Sequence, residues 1–254
     1  MRVYRGRADT IEADRAVTDR LVERVATGDE SENSRDREAA VRVWRPHRLV
    51  AFGRRDARSD GYDRAREAAR ERGFPPVERD VGGRAVAYTG STVAFVRATP
   101  VDDPRGGLTG RYDAALAGLQ DALADLGVDA TEGEPPDSFC PGSHSLQATC
   151  DGRQRKLAGL AQRVRSRVAV LAGVLVVADH DEIAAVTAAV YDALGVSFDP
   201  ETVGSVTFAG GERGPDRVVE TVEAALVDGR DATVERVDGS ASGSDGGRAD
   251  GREI

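Results

Sequence analysis

Lys156 is the only lysine among the 35 lysines and arginines of this 254-residue chain. Arginine cannot supply a compact primary ammonium whose pKa moves with burial and neighbours, so a retained lysine marks a position where that group has work to do. The competing reading is a codon or salt-adaptation bias that left one lysine behind. Two further residues carry chemistry of their own, Cys140 and Cys150. Two cysteines are too few for a disulfide framework, so each reads as a thiol. A thiol suits group transfer because it both attacks and leaves. Gly82-Gly83, between two apolar stretches, marks backbone that approaches something closely or adopts positive φ, although most such pairs are plain turns. No G-x-G-x-x-G spans a strand-to-helix turn there, so it is not a dinucleotide fingerprint.

A net charge of −9 and a pI near 5.0 argue against a general nucleic-acid binder, which needs a basic stripe. An acidic composition that uses Arg for Lys and is rich in Ala, Gly and Val resembles salt-adapted proteins, kept soluble by self-repulsion. No charged start leads into an apolar segment, and no apolar run nears the roughly 18 residues of a membrane span. The longest run, Val168 to Ala178, includes Gly173, ends at Asp179 and reads as a buried strand or two. The expectation is a soluble cytoplasmic protein with no membrane partner.

The elements that must position these residues follow from periodicity. Ile11, Ala16, Val17, Leu21, Val22 and Val25 fall at helical spacing within 8–28, and Gly28 is a stop. Residues 29–38 are polar and read as loop. Short strands are expected at 41–44, 49–52 and 92–97, and helices at 62–72, 111–126, 181–194 and 215–228. Residues 129–144 read as a loop carrying Cys140. Ser145–Cys150 then turns at Asp151-Gly152, a hairpin signal, into the lysine segment. That register pairs Lys156 near Gln147, so the Cys140 loop must fold back to reach it. Beyond Gln162, Arg163, Arg165 and Arg167 alternate with Val164, Ser166 and Val168, giving one basic strand face. The polar, Gly-rich tail 239–254 is expected to be disordered. Mixed strands and helices joined by hairpins predict an α+β fold, a mixed or antiparallel sheet flanked by helices, in one catalytic domain over 1–238.

The ordered succession Trp44…Gly53-Arg54, Arg79…Gly82-Gly83-Arg84-Ala85-Val86 and Gly152-Arg153…Lys156-Leu157-Ala158-Gly159-Leu160-Ala161-Gln162-Arg163 resembles the biotin/lipoate protein ligase catalytic-domain family. More narrowly, it is similar to lipoate-protein ligases and cysteine-dependent octanoyltransferases, over roughly residues 1–235. Ser138-Phe139-Cys140-Pro141-Gly142 resembles the cysteine-dependent members, in which a thiol at this place carries the acyl group. Ala87-Tyr88-Thr89 stands where relatives often have Tyr-His, so no histidine role carries over. Gln154 adds one residue before Arg155-Lys156, and no large C-terminal accessory domain is seen.

The resemblance implies an enzyme with Cys140 and Lys156 as catalytic residues, Arg54, Arg79, Gly82, Gly83 and Gly159 lining the substrate site, and no metal. Lys156 would supply a cation beside the thiol, hold the acyl carbonyl, or take part in proton transfer. The implied partners are an acyl-carrier-type donor and a lipoyl-domain or glycine-cleavage-H-type acceptor, with no cofactor. An ATP-dependent lipoate ligase, using ATP and Mg and leaving Cys140 idle, is the second reading; a non-catalytic acyl- or partner-binding module is the third. Plainer roles stand beside each residue: Cys140 as a buried small hydrophobe, Cys150 as structural, His144 as a loop residue rather than a base for Cys140, and Arg54 and Arg79 as surface charges. Arg163, Arg165 and Arg167 are expected to border the site and steer an acidic acceptor.

Overall fold

The structure, a computed structural model, describes residues 1–28, 37–79, 83–103, 107–165 and 167–237. Gly82, residues 29–36 of the expected polar loop and the tail 239–254 lie outside them. In chain order the elements are β1 (Arg2–Arg5), α1 (Ile11–Thr27), β2 (Ala40–Trp44), β3 (Leu49–Phe52), α2 (Tyr62–Glu71), β4 (Pro76–Glu78), β5 (Val86–Tyr88), β6 (Val93–Pro100) and α3 (Leu108–Asp125). They continue with β7 (Ala130–Glu132), β8 (Ser145–Cys150), β9 (Arg153–Arg165), β10 (Val168–Leu175), α4 (His180–Leu194), α5 (Pro215–Val227) and β11 (Thr233–Arg236).

An eight-stranded sheet runs β11-β1-β2-β6-β10-β9-β8-β7, and a three-stranded sheet runs β4-β3-β5. The large sheet is antiparallel from β2 to β7, while β1 pairs in parallel with both β2 and β11. Alternation decides which residues of each strand face which layer. Val41, Val43, Val93 and Phe95 face α3 and α5 in the largest core cluster. Ala40, Val96 and Ala98 face α1 on the other side. The small sheet packs with α2 and α4 in a separate cluster that also takes in Phe139, Val174 and Val203. The fold is therefore α+β with mixed sheets flanked by helices, as the pattern predicts.

Local signals explain most boundaries. The Thr10 hydroxyl accepts the Ala13 N–H at 3.1 Å and opens α1, and Gly28 at φ 76° closes it. Asp151 and Gly152, at φ 51° and 75°, form the tight turn between β8 and β9. Residues 168–175 form one strand, in which Gly173 leaves room for a ring. A Cβ there would lie 2.2 Å from Phe95 Cζ. Two expectations need correction. β7 lies inside the stretch read as loop, because three residues carry no readable alternation. Helix α3 begins at Leu108 rather than 111, on the left-handed Gly107. The sequence pattern does not reveal strands β1, β4, β5 and β11, which have only three or four residues each. Among the described residues, no helix is long and apolar enough to cross a membrane, and no group of three His, Cys, Asp or Glu side chains could hold a metal ion.

The α1 face of the sheet hides an ion pair. Arg42 is fully buried and reaches Asp14 with Nη2, while Nη1 donates to the Asp14 carbonyl at 2.9 Å and to Thr18 Oγ1 at 3.0 Å. The other Asp14 oxygen accepts Trp44 Nε1 at 2.9 Å, and Ala8 N–H donates to Oδ1 at 3.0 Å. Removing one member of such a pair strands the other charge in the core. Asp14→Ala is expected to lower stability by about 3–5 kcal/mol in urea unfolding. A loss under about 1 kcal/mol would mean that water reaches Arg42.

Candidate active site

Lys156 lies on β9 opposite Gln147 on β8, and the register slips between Leu146 and Gln147, so Leu157 bulges and Ala158 pairs with Leu146. A bulge re-aims side chains along a strand. Here it leaves Gly159 beneath the lysine stem: a Cβ at Gly159 would sit 3.3 Å from Lys156 Cε and 3.5 Å from Nζ. The Lys156 side chain is fully buried. Its Nζ lies 2.9 Å from both carboxylate oxygens of Glu134 and 3.0 Å from the carbonyl oxygens of Phe139 and Cys140. The Phe139 ring centroid is 4.9 Å from Nζ. The loop after β7 has folded back over the hairpin, bringing Cys140 and Lys156 together.

Cys140 is half-buried and adopts φ 42°, a left-handed conformation that few non-glycine residues take. Its N–H donates to the Tyr191 hydroxyl at 2.7 Å, and that hydroxyl donates to the Ala85 carbonyl at 3.0 Å. Arg79 Nη2 stands 3.5 Å from Cys140 Sγ and donates to the Arg84 carbonyl at 2.7 Å. Among the described residues, the buried Arg79 Nε–H has no hydrogen-bond partner. Burial pulls the Arg79 guanidinium down, but Tyr88, Cys140 and Tyr191 more than offset it, so its pKa is raised. Burial pushes Lys156 below an ordinary lysine, against the opposing pull of Glu134 and then of Cys140. Tyr191 is raised by its burial and then by Cys140.

The glycine stretch closes the other side. Gly83, at φ 99°, lies against the thiol, since a Cβ there would be 2.7 Å from Cys140 Sγ and 3.0 Å from Arg79 Nη2. Gly53 in turn touches this stretch: a Cβ would meet the Gly83 carbonyl oxygen at 2.0 Å. Buried Asp56 ties the two together, accepting Gly53 N–H at 3.1 Å and Arg84 Nη1 at 3.2 Å. Arg54 is exposed on the loop beside Gly53.

Cys140, Lys156, Arg79, Gly83 and Gly159 thus converge. Other expectations do not meet at this point. His144 stacks on Tyr112 with ring centroids 3.5 Å apart. Cys150 is buried, its thiol pKa raised by burial, with Sγ 3.9 Å from the Ala148 carbonyl. Arg163 and Arg165 were expected to border the site. At about 3.3 Å per residue they lie roughly 23 and 30 Å along β9 from Lys156, so they do not form its rim. The lysine and the arginines share one continuous strand, β9, whose length carries Arg163 and Arg165 away from the site. Glu134, Tyr191 and Asp56 were not read from the sequence. A sealed ammonium demands a carboxylate, but nothing local distinguishes Glu134 among 44 acidic residues.

Residues 13–224 match the family defined as the lipoyl protein ligase A/B catalytic domain. The chain belongs to that family. It is similar to an octanoyl-[GcvH]:protein N-octanoyltransferase of Exiguobacterium sibiricum, 35% identical over 135 residues, covering 52% of this chain and 47% of that protein. It is also similar to a lipoyl-[GcvH]:protein N-lipoyltransferase of Listeria monocytogenes, 28% identical over 126 residues, 49% of this chain and 44% of the other. The chain spans about half the length of the curated relatives it matches. A lipoate-protein ligase A solved with ATP shares the fold, with a TM-score of 0.69 at 19% identity over 93% of this chain and 89% of that one.

Two substitutions test this geometry. Gly83→Ala places a methyl group against Sγ at a φ that costs an L-residue about 1–2 kcal/mol, so alkylation of Cys140 by iodoacetamide should slow by about tenfold. An unchanged alkylation rate would show that the stretch yields freely. Lys156→Arg forces a larger planar group into a sealed site, and unfolding should register a loss of about 1–3 kcal/mol. Wild-type stability in that variant would return the lone lysine to chance.

Proposed function

We propose that this chain is an acyltransferase that passes an octanoyl- or lipoyl-type group through a thioester on Cys140 to a lysine amine of a lipoyl-type acceptor protein. The observation that carries this reading is the setting of Cys140: a half-buried thiol against Arg79 and Gly83, with its backbone held by Lys156 and Tyr191. The names of the relatives described above, an N-octanoyltransferase and an N-lipoyltransferase, support it.

In the first step, Sγ forms a bond to the acyl carbon, the donor's bond to that carbon breaks, and the leaving group takes the thiol proton. In the second, the acceptor amine attacks, the C–N bond forms, the C–S bond breaks and sulfur regains a proton. Sulfur carries negative charge as nucleophile and again as leaving group, and the Arg79 guanidinium faces it both times. No ATP is consumed, because the acyl group arrives already joined to a carrier. The relatives' names couple an acylated GcvH to a second protein, which supports an H-type protein as donor; an acyl-carrier thioester is the alternative donor.

Intact-mass measurement after mixing the protein with octanoylated H-protein or octanoyl-carrier protein, with and without ATP, tests the reading. A single octanoyl adduct labile to hydroxylamine is expected in wild type and in Cys150→Ala, and none in Cys140→Ala. Acceptor modification that persists in Cys140→Ala and requires ATP would instead make the protein a lipoate ligase. No turnover with any donor would leave a binding module.

A further inference from the structure

The Lys156 ammonium is fully engaged. Its three hydrogens face four acceptors, the two Glu134 oxygens and the carbonyls of Phe139 and Cys140, so no donor remains for a substrate carbonyl in this arrangement. What it grips is backbone. The Phe139 carbonyl and the Cys140 N–H belong to one peptide group. Lys156 binds that group at its oxygen and Tyr191 at its N–H, so the plane is fixed from both ends. The next carbonyl, that of Cys140 itself, is held by the same ammonium. The strained φ of 42° lies between these two anchors, and the direction of Sγ follows from it.

This grip depends on charge. A fully buried ammonium without a counter-ion sheds its proton, and a neutral amine is a poorer donor to carbonyls. Glu134 supplies the counter-ion, and it also accepts the hydroxyl of buried Ser138, which closes the loop leading to Cys140. We propose that Glu134 is a positioning residue for the Cys140 thiol: its carboxylate holds the Lys156 ammonium on the Phe139 and Cys140 carbonyls and thereby aims the thiol between Arg79 and Gly83. What the thiol then does rests on the acyl-transfer reading; how it is aimed does not.

The titratable groups facing Lys156 are Glu134, from the loop after β7, and Cys140, from the segment before β8; Arg79 lies beyond the sulfur. Burial lowers the Lys156 pKa, and Glu134 is the stronger of the two groups that raise it. Replacing its charge therefore lets Lys156 lose its proton at lower pH, and the grip should fail from the alkaline side.

The test uses the full chain in a Cys150→Ala background, with Cys140 alkylation by iodoacetamide and octanoyl loading both followed by intact mass. Glu134→Gln should slow both by about tenfold or more, the scale on which loss of a charged hydrogen bond is felt. The deficit should widen as pH rises and set in below the range of an ordinary lysine, about 10.4, because burial already lowers Lys156 and the variant removes the charge that opposes it. Glu134→Asp keeps the charge, so it should hold the wild-type pH dependence at a reduced rate. It also serves as the second variant if Glu134→Gln folds poorly. In a Lys156→Met background, Glu134→Gln should change alkylation by less than about twofold, because the residue acts through the lysine. Wild-type alkylation in Glu134→Gln at every pH, or an undiminished effect in the Lys156→Met background, would overturn the proposal. Alkylation that depends on Glu134 in a protein that takes no acyl group would sink the acyl-transfer reading and leave the grip standing.

Discussion

A positive charge sealed at zero exposure is the constraint from which the rest of the centre follows. An ammonium out of water needs a counter-ion and acceptors for its hydrogens, or it ceases to be an ammonium. Lys156 draws Glu134 from one side of a loop and two carbonyls from the other, and so fixes a segment with no secondary structure of its own. Gly159 gives the lysine stem its space, and the β8–β9 bulge sets its direction. Cys140 is placed as a consequence, through its own backbone.

The centre lies where two cores meet. Lys156 comes from β9, whose neighbours Leu157 and Leu160 belong to the core beneath α3 and α5. Cys140 packs on the other core, between the small sheet and α4, which supplies Tyr191. Arg79 and Gly83 belong to the segment linking β4 to β5 of that small sheet. Lys156 and Cys140 are therefore fixed from different layers, and the glycines at 53 and 83 let the backbone on the small-sheet side come close to itself and to the thiol.

The helices and the hairpin were legible because their signals are local. Apolar spacing marks α1 and α3, and Asp151-Gly152 sets a register that already pairs Lys156 with Gln147. The lone lysine and the Gly82-Gly83 pair drew attention to the site for sound physical reasons, one of charge and one of close approach. What the sequence did not show was the identity of partners. Glu134 and Asp56 matter through long-range pairing, and many acidic residues compete for those roles. Tyr191 reads as an ordinary core residue of α4 until its hydroxyl is seen between Cys140 and Ala85. The placement of Arg163 and Arg165 failed for a different reason: strand alternation tells which way a side chain faces, not how far along a long strand it lies.

The solitary lysine has one more consequence, and it concerns selectivity among amines. An acyl thioester held near a protein surface acylates whatever lysine amine reaches it, the enzyme's own included. In this chain that hazard is small by composition: no other side chain carries a primary amine, the guanidinium of arginine is not an acyl acceptor at neutral pH, and the one lysine is sealed and charged. The α-amino group of Met1 is engaged by Glu38 and the Asp231 carbonyl. Whatever pressure removed the other lysines, the folded chain presents almost no nucleophilic amine of its own, so under the proposed acyl transfer a thioester on Cys140 would wait for an amine brought by another molecule.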